Sequence, residues 1–432
     1  MFIELSLKSA PAKIALLIGT FLCCTLLGLV VFGNFVIDAF ADERASVNCE
    51  VLSVASSYFP ASGRLQARLA AAEMEEEDRD LKLARFHASK AVALCPSSYS
   101  NQMLLASVEE STGDRSAAED SLKTALRLAP YNKEVHWRLA NLLLREGKLG
   151  ESVEEFRVAV SIDPRYLPNT LELIWPASGG NVQALEEVAG NGSLARLALA
   201  QFLLKRSRVV EAATEFGKID RRARYDTPGG SEFFASLIKM GYLELARSMW
   251  TELVSPGHSQ RPLMWNGGFE SDVVAGFSSF DWTIASNAFA RISIDPGVAH
   301  SGSRSLRIDF TGRDTARLDD EIKQLIVVSP GRHYRLGCYV KTEDLVTPEG
   351  PRIVIVDQNS QVSIASSDPI SPGSNDWRAL SVDFSAPLSS RSALITVKRI
   401  PKFSYDKPTS GTIWLDDFIV TELPEKGTQA VR

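Results

Sequence analysis

Pro96, Pro130 and Pro164 stand 34 residues apart, and that interval constrains this 432-residue chain more than any other feature. Ala91, Ala125 and Ala159 keep the same spacing, as do Ala72, Ala106 and Ala140, and Gly113 with Gly147. Further on, Ala212 with Ala246 and Phe216 with Trp250 repeat it. Several residue types in one register mark a tandem array, whose unit cannot bury its apolar face alone and must stack on its neighbours. The residue types explain the unit. A small residue on a first helix lets a second helix approach closely. A glycine turns the chain between them. A proline, which lacks an N–H and clashes with the preceding turn, stops the second helix.

The run Leu105-Ala106, Gly113, Ala118, Leu122, Ala125, Pro130, followed by Leu139-Ala140, Gly147, Phe156, Ala159, Pro164, resembles the tetratricopeptide repeat family. The resemblance covers about 62–256 and is strongest over 97–164. The unit ending at Pro96 has Arg79 in place of the turn glycine, and units near 193–226 and 227–256 lose the terminal proline. The intervening segment 165–192 is expected to be a shortened helix pair broken at Pro176-Ala177-Ser178-Gly179-Gly180. The resemblance implies a protein or peptide partner on the face lined by the first helices. The candidate contacts are Met103 and Glu110 of one unit and Trp137, Asn141 and Arg145 of the next. Trp137 has two readings, an aromatic anchor in a partner groove or a ring packed on a neighbouring helix.

After Ser255-Pro256-Gly257 the helical period ends. Short strands are expected at Ala290–Ile294, Ser305–Phe310, Gln324–Val328, Tyr334–Lys341, Arg352–Asp357, Trp377–Phe384, Leu394–Arg399 and Thr412–Val420. The alternation Tyr334-Arg335-Leu336-Gly337-Cys338-Tyr339-Val340-Lys341 gives one apolar face, and Ser329-Pro330-Gly331 and Ser371-Pro372-Gly373 are turn signals. Strands of this number and length predict a two-sheet antiparallel sandwich or jelly roll. An ordered set runs through the segment. It is Asn266-Gly267-Gly268-Phe269-Glu270, Trp282, His300-Ser301-Gly302-Ser303-Arg304-Ser305-Leu306, Trp377 and Ile413-Trp414-Leu415-Asp416-Asp417-Phe418. From Asn266 to Leu423 the chain is similar to carbohydrate-binding modules with the galactose-binding-like jelly roll.

That resemblance implies a structural calcium site, with side chains from Glu270 and Asp416 and carbonyls from Gly268 and Ser303. The other reading of the two acids is plain surface charge at strand ends. For a glycan ligand, alternation turns Arg335, Tyr339 and Lys341 away from Leu336, Cys338 and Val340, toward a concave sheet. Gln358 and Arg399 complete the candidate set. Trp282 and Trp377 match positions that fill the core of such modules.

Ile14 to Ile37 carry no charge, long enough to cross a hydrocarbon layer of about 30 Å at about 1.5 Å per residue. Lys8 and Lys13 precede the run and Asp38, Asp42 and Glu43 follow it. This predicts a single-pass anchor with a cytoplasmic N-terminus and a periplasmic or otherwise extracytoplasmic body. The competing reading is a cleaved signal peptide, for which Ala39-Phe40-Ala41 would serve as the cleavage site. A net charge of −6 gives no reason to expect nucleic acid. The five cysteines form no CxxC or Cys/His cluster, so neither zinc nor a disulfide framework is indicated. No HExxH, G-x-S-x-G or Walker-type loop is present, and the acidic run Glu75-Glu76-Glu77-Asp78 reads as a solvated helix face.

The expected architecture is therefore a multidomain α + β chain. A tail and transmembrane anchor occupy 1–41, a linker or helical stalk 42–61, an α-solenoid 62–256, a β-sandwich 257–423 and a flexible tail 424–432. The expected function is a membrane-anchored, non-catalytic scaffold whose solenoid binds protein and whose sandwich binds glycan, in surface polysaccharide assembly or export. The alternatives are a protein–protein adaptor without sugar binding and an unrecognised glycan hydrolase, which would need two carboxylates held across a sugar cleft.

Overall fold

A computed structural model describes residues 10–41, 47–75, 80–255, 262–273, 279–313, 317–401 and 408–424. Lys8, Asp42, Glu43, the acidic side chains at 76–78, Arg79 and the tail from 425 lie outside the described residues. The chain divides into two compact units, Met1–Lys218 and Ile219–Arg432.

The first unit begins with α1 (Ala10–Ala41); within Lys13–Ala41 an 18-residue window has a mean hydropathy of 2.6 and is not buried by the protein. It is one apolar helix long enough, by length and composition, to be a membrane span or a signal sequence. Then come α2 (Cys49–Tyr58), α3 (Gly63–Glu75), α4 (Leu81–Leu94), α5 (Tyr99–Ser111), α6 (Arg115–Leu128), α7 (Lys133–Arg145) and α8 (Leu149–Ile162). A 3₁₀ turn at Pro164–Tyr166 leads to α9 (Leu167–Ala177), α10 (Val182–Ala189), α11 (Ser193–Lys205) and α12 (Val209–Gly217).

Helices α3 to α8 form three successive helix pairs in the expected register. Gly113 and Gly147 adopt φ of +84° and +77° at the two turns, where a residue without a Cβ is least strained. The alanines of the period are buried at the helix crossings, and Ser152 on α8 donates to the Ala140 carbonyl at 2.8 Å across one of them. Ala106, Ala118 and Leu122 meet Leu139, Leu142 and Leu143 of the next unit, so the core is continuous between repeats. Side chains finish the helix starts. Asn132 accepts from the Glu134 and Val135 N–H groups of α7, and Asp114 from Ala117 of α6. The short pair α9 and α10 is broken where expected, with Gly179 and Gly180 both at positive φ, but Pro176 sits inside α9.

The second unit opens with α13 (Arg221–Asp226), α14 (Gly230–Lys239) and α15 (Leu243–Val254) and continues into two five-stranded antiparallel sheets. The first sheet has the order β1-β4-β9-β6-β7, from Thr283–Ile284, Ile322–Val327, Ser392–Lys398, Arg352–Asp357 and Ser363–Ser366. The second has the order β2-β3-β10-β5-β8, from Ala290–Asp295, Ser305–Thr311, Ser410–Glu422, His333–Val346 and Gly373–Ser385. Apart from the paired strands β2–β3 and β6–β7, consecutive strands pass back and forth between the sheets, which closes one core between them. Phe269, Trp282, Leu336, Ile355, Ile395 and Leu415 lie in that core. Helix α15 is fastened to the sandwich. Trp250 is fully buried against Trp265 (centroids 5.5 Å apart) and Phe280 (5.9 Å), and Arg247 donates to the Pro262 carbonyl at 2.7 Å. The final helical hairpin of the period thus shares a compact unit with the sheets.

Candidate functional site

Three successive first helices build one groove of about 520 Å³ in the first unit. Met74 of α3, Ser107, Glu110 and Ser111 of α5, and Glu134, Trp137, Arg138, Asn141 and Arg145 of α7 line it. Equivalent helices of stacked repeats lie side by side, so positions one period apart face the same surface. Four of the five expected contacts, Glu110, Trp137, Asn141 and Arg145, come together here.

The groove is electrostatically self-paired. Arg145 reaches across the repeat boundary to Glu110. Arg138 bonds Glu134 on its own helix at 3.0 Å and the Ser107 hydroxyl of the preceding unit at 2.6 Å. Trp137 packs on its neighbours and also faces the groove. Its ring stacks on Tyr166 (4.8 Å, 29°) and meets Phe156 edge-on (5.1 Å), yet it stays half-buried and lines the groove. The Tyr166 hydroxyl donates to Glu134 at 3.1 Å and fixes the stack from behind. Asn141 donates to the Trp137 carbonyl at 2.7 Å.

Met103 does not join the other four. It holds the repeat position of Trp137, 34 residues earlier, but it packs against the core between α5, α6 and α7 and does not line the groove. An unbranched thioether bends into a gap that a rigid indole backed by two other rings cannot enter.

On the sandwich, alternation places Arg335, Tyr339 and Lys341 on the outer face of the second sheet, opposite the buried Leu336, Cys338 and Val340. Neighbouring strands match their charges. Arg335 forms a two-pronged pair with Asp383 on β8 (2.6 and 2.8 Å), and Lys341 reaches Asp376 at 3.3 Å. The Asp383 carboxylate holds the Arg335 guanidinium above its ordinary pKa. The Trp377 N–H, and then Lys341, hold the Asp376 carboxyl below its ordinary value. Tyr339 carries the His300 ring flat on its face (3.5 Å, 12°), and Trp377 meets that imidazole edge-on at 5.6 Å. Trp282 fills the core as expected, but Trp377 does not. Leu380, Val382 and Phe384 of β8 pair with the inward residues of β5, so by alternation Trp377 falls on the outer face beside His300.

Gln358 and Arg399 do not join this face, because both belong to the first sheet. Gln358 follows β6, and Arg399 is 2% exposed at the end of β9, its backbone paired with Leu318. Alternation along one strand does not give the order of strands in a sheet, so it cannot separate these two residues from the face of β5.

The four residues expected to hold calcium do converge, joining the start of the sandwich to β10. Glu270 accepts from the Ser303 N–H (2.7 Å), the Arg304 N–H (2.9 Å) and the Ser303 hydroxyl (2.8 Å). Asp416 accepts from the N–H groups of His300 (2.7 Å), Ser301 (3.2 Å) and Asp417 (2.7 Å). Gly268 lies between them, where a Cβ would stand 3.7 Å from Asp416 Oδ1 and 3.9 Å from Glu270 Cγ. Calcium requires six to eight oxygens. Here both carboxylates face N–H and O–H donors, and Ser303 offers Glu270 its own N–H and hydroxyl. Hydrogen bonds from these donors make the junction in this structure. The N–H and hydroxyl of Ser303 lower the Glu270 pKa, while burial raises that of Asp416 above its ordinary value.

Residues 103–166 match the family described as Tetratricopeptide repeat. Among solved structures, a crystal structure of MamA protein is 14% identical with a TM-score of 0.30, over 49% of this chain and 96% of that one. A structure titled "CBM4 structure and function" is 18% identical at a TM-score of 0.28, over 37% of this chain and 98% of that one. The enzymatically active domain of tailspike protein 4 of Bacteriophage CBA120 is 19% identical at a TM-score of 0.27, over 38% of this chain. The present chain spans only 21% of that tailspike chain. No curated protein matches the sequence.

Proposed function

We propose that this protein is a membrane-tethered, non-catalytic scaffold of the cell envelope, whose helical repeats hold an extended segment of a partner protein in the Trp137 groove. The observation that carries the reading is the convergence of Glu110, Trp137, Asn141 and Arg145 on one groove built from successive repeats. The groove's cations and acids pair with one another, so it offers little unbalanced charge to attract a strongly charged partner. A segment of mixed or low charge, with an apolar side chain laid against Trp137 and its backbone met by Ser107, Ser111 and Asn141, suits it best.

The tether in this reading is α1. Its apolar side chains are exposed, Phe21 at 70% and Leu17 at 69%, and a hydrocarbon layer would cover them. Length favours an uncleaved anchor over a signal peptide, with the body outside the cytoplasm. A role in surface polysaccharide assembly or export belongs to the same proposal.

The test is site-specific photo-crosslinking of the full chain in its host membrane. A benzophenone side chain in place of Ser111, on the groove wall, should give one discrete protein adduct. Arg145→Glu should abolish that adduct, and the same probe at the exposed Tyr131 should not form it. Identical adducts from both probe positions, or no adduct from the groove, would contradict the proposal.

A second reading concerns the sandwich. Tyr339, Trp377 and His300 form an aromatic ledge on the outer face of the second sheet, and aromatic faces bordered by polar groups suit sugar rings. Tyr339→Ala in the full chain should then cost glycan-array signal. A chain that binds no glycan would leave the adaptor reading alone.

A further inference from the structure

The second unit holds a larger cavity, of about 830 Å³, on the opposite side of the sandwich from Tyr339. One wall is the outer face of the first sheet, with Lys323 and Leu325 on β4 and Leu394 on β9. The other wall is α14, with Glu232, Ala235 and Lys239. The helix does not belong to the sandwich proper, so the cavity exists only because the last helical hairpin is fastened to the sheets through Trp250 and Arg247. Its volume falls in the range of small-molecule sites.

The lining defines a chemistry. None of the described lining residues is aromatic, so a neutral sugar ring has no stacking platform there. Lys239 and the loop residue Arg391 are exposed cations with no ion pair among the described residues. Two acids, Glu232 and Asp281, stand against the three cations Lys239, Lys323 and Arg391 in the lining. Glu232 accepts from the Ser231 hydroxyl at 3.0 Å, and the buried Asp281 accepts from the Trp282 N–H at 2.7 Å. The Gln358 Oε1 atom is enclosed and has no hydrogen-bond partner. A buried acceptor left unmade is costly, and a rotation of the half-buried Gln358 side chain into the cavity would let a ligand O–H satisfy it. The site therefore calls for a ligand that carries both anionic groups and hydroxyls.

We propose that this cavity binds an acidic oligosaccharide, with carboxylates on Lys239 and Arg391 and a sugar hydroxyl donating to Gln358 Oε1. The inference is independent of the solenoid groove and of the Tyr339 ledge, which lies on the other sheet.

The test is titration calorimetry of the full chain in detergent micelles with a trimer of galacturonic acid, and with maltotriose as the neutral counterpart. The acidic trimer should bind, more weakly as salt is added, and the neutral one should not. Lys239→Ala and Arg391→Ala should each weaken binding roughly tenfold, the loss expected for a charged hydrogen bond. Both side chains are exposed, so melting temperature should hold and serve as the folding control. Ala235→Trp, which fills the cavity from the helix side, should abolish binding, whereas Tyr339→Ala should leave it intact. Equal binding of the two sugars, no binding of the acidic trimer, unchanged affinity in Ala235→Trp, or loss of binding in Tyr339→Ala would each overturn the proposal.

Discussion

Gly267 leaves no room for a side chain, since a Cβ there would stand 1.9 Å from the Phe418 carbonyl oxygen. The same carbonyl-to-glycine approach brings the Phe418 N–H onto the Gly267 carbonyl at 2.9 Å, tying the start of the sandwich to its last strand. Gly267→Ala should therefore destabilise the second unit by about 3 kcal/mol or more, read as a fall in its denaturant midpoint. Glu270 works at the same junction and makes it sensitive to acid. Its donors hold the folded carboxyl below the ordinary 4.5, so the unfolded chain takes up a proton first as pH falls. The contribution is complete above about pH 4.5 and is lost progressively below it. Melting curves from pH 7 to pH 3 should show this loss in the native chain and a smaller one in Glu270→Gln. Asp416 runs the other way, because burial raises its folded pKa, so protonating it favours the folded state. At this scale the sequence was legible where alternation decides orientation, as at Arg335, Tyr339 and Lys341. It was not legible where a contact from another strand decides, as at Trp377, or where flexibility decides, as at Met103.

Among elements, the repeat helices were readable because their period is carried by residues with one physical use each: alanine at a crossing, glycine at a positive φ, proline after a helix end. The caps add to this. Asn132→Ala should cost about 1 kcal/mol of first-unit stability by leaving two N–H groups of α7 without their acceptor. Eight strands of the sandwich were also readable, while β1 and β7 were not. β1 has only two residues, and Ser363-Ile364-Ala365-Ser366 of β7 is short, small and polar, so no alternation marks it. Both lie at the edges of the first sheet, and they form through pairing with a neighbour more than through their own composition. α15 shows the opposite case. Its sequence reads as one more repeat helix, but its Trp250 is buried among Trp265 and Phe280. Trp250→Ala should cost about 3–5 kcal/mol and should lower the unfolding transition of the sheets.

At the scale of the whole molecule, a helical repeat region precedes a two-sheet antiparallel sandwich, and each compact unit carries its own candidate recognition surface. The period announced the first surface. Nothing in the sequence announced the cavity beside α14, because it depends on which sheet faces the helix, and strand order is a property of the folded chain. In the proposed function the line of first helices is where the partner lies. Hydrogen exchange read by mass spectrometry, on the full chain with and without the partner captured at Ser111, tests it most directly. Amides of 99–111 and 133–145 should slow on binding, while those of α6, α8 and the two sheets stay as they were. Slowing confined to α6 and α8, or to the sheets, would contradict the account.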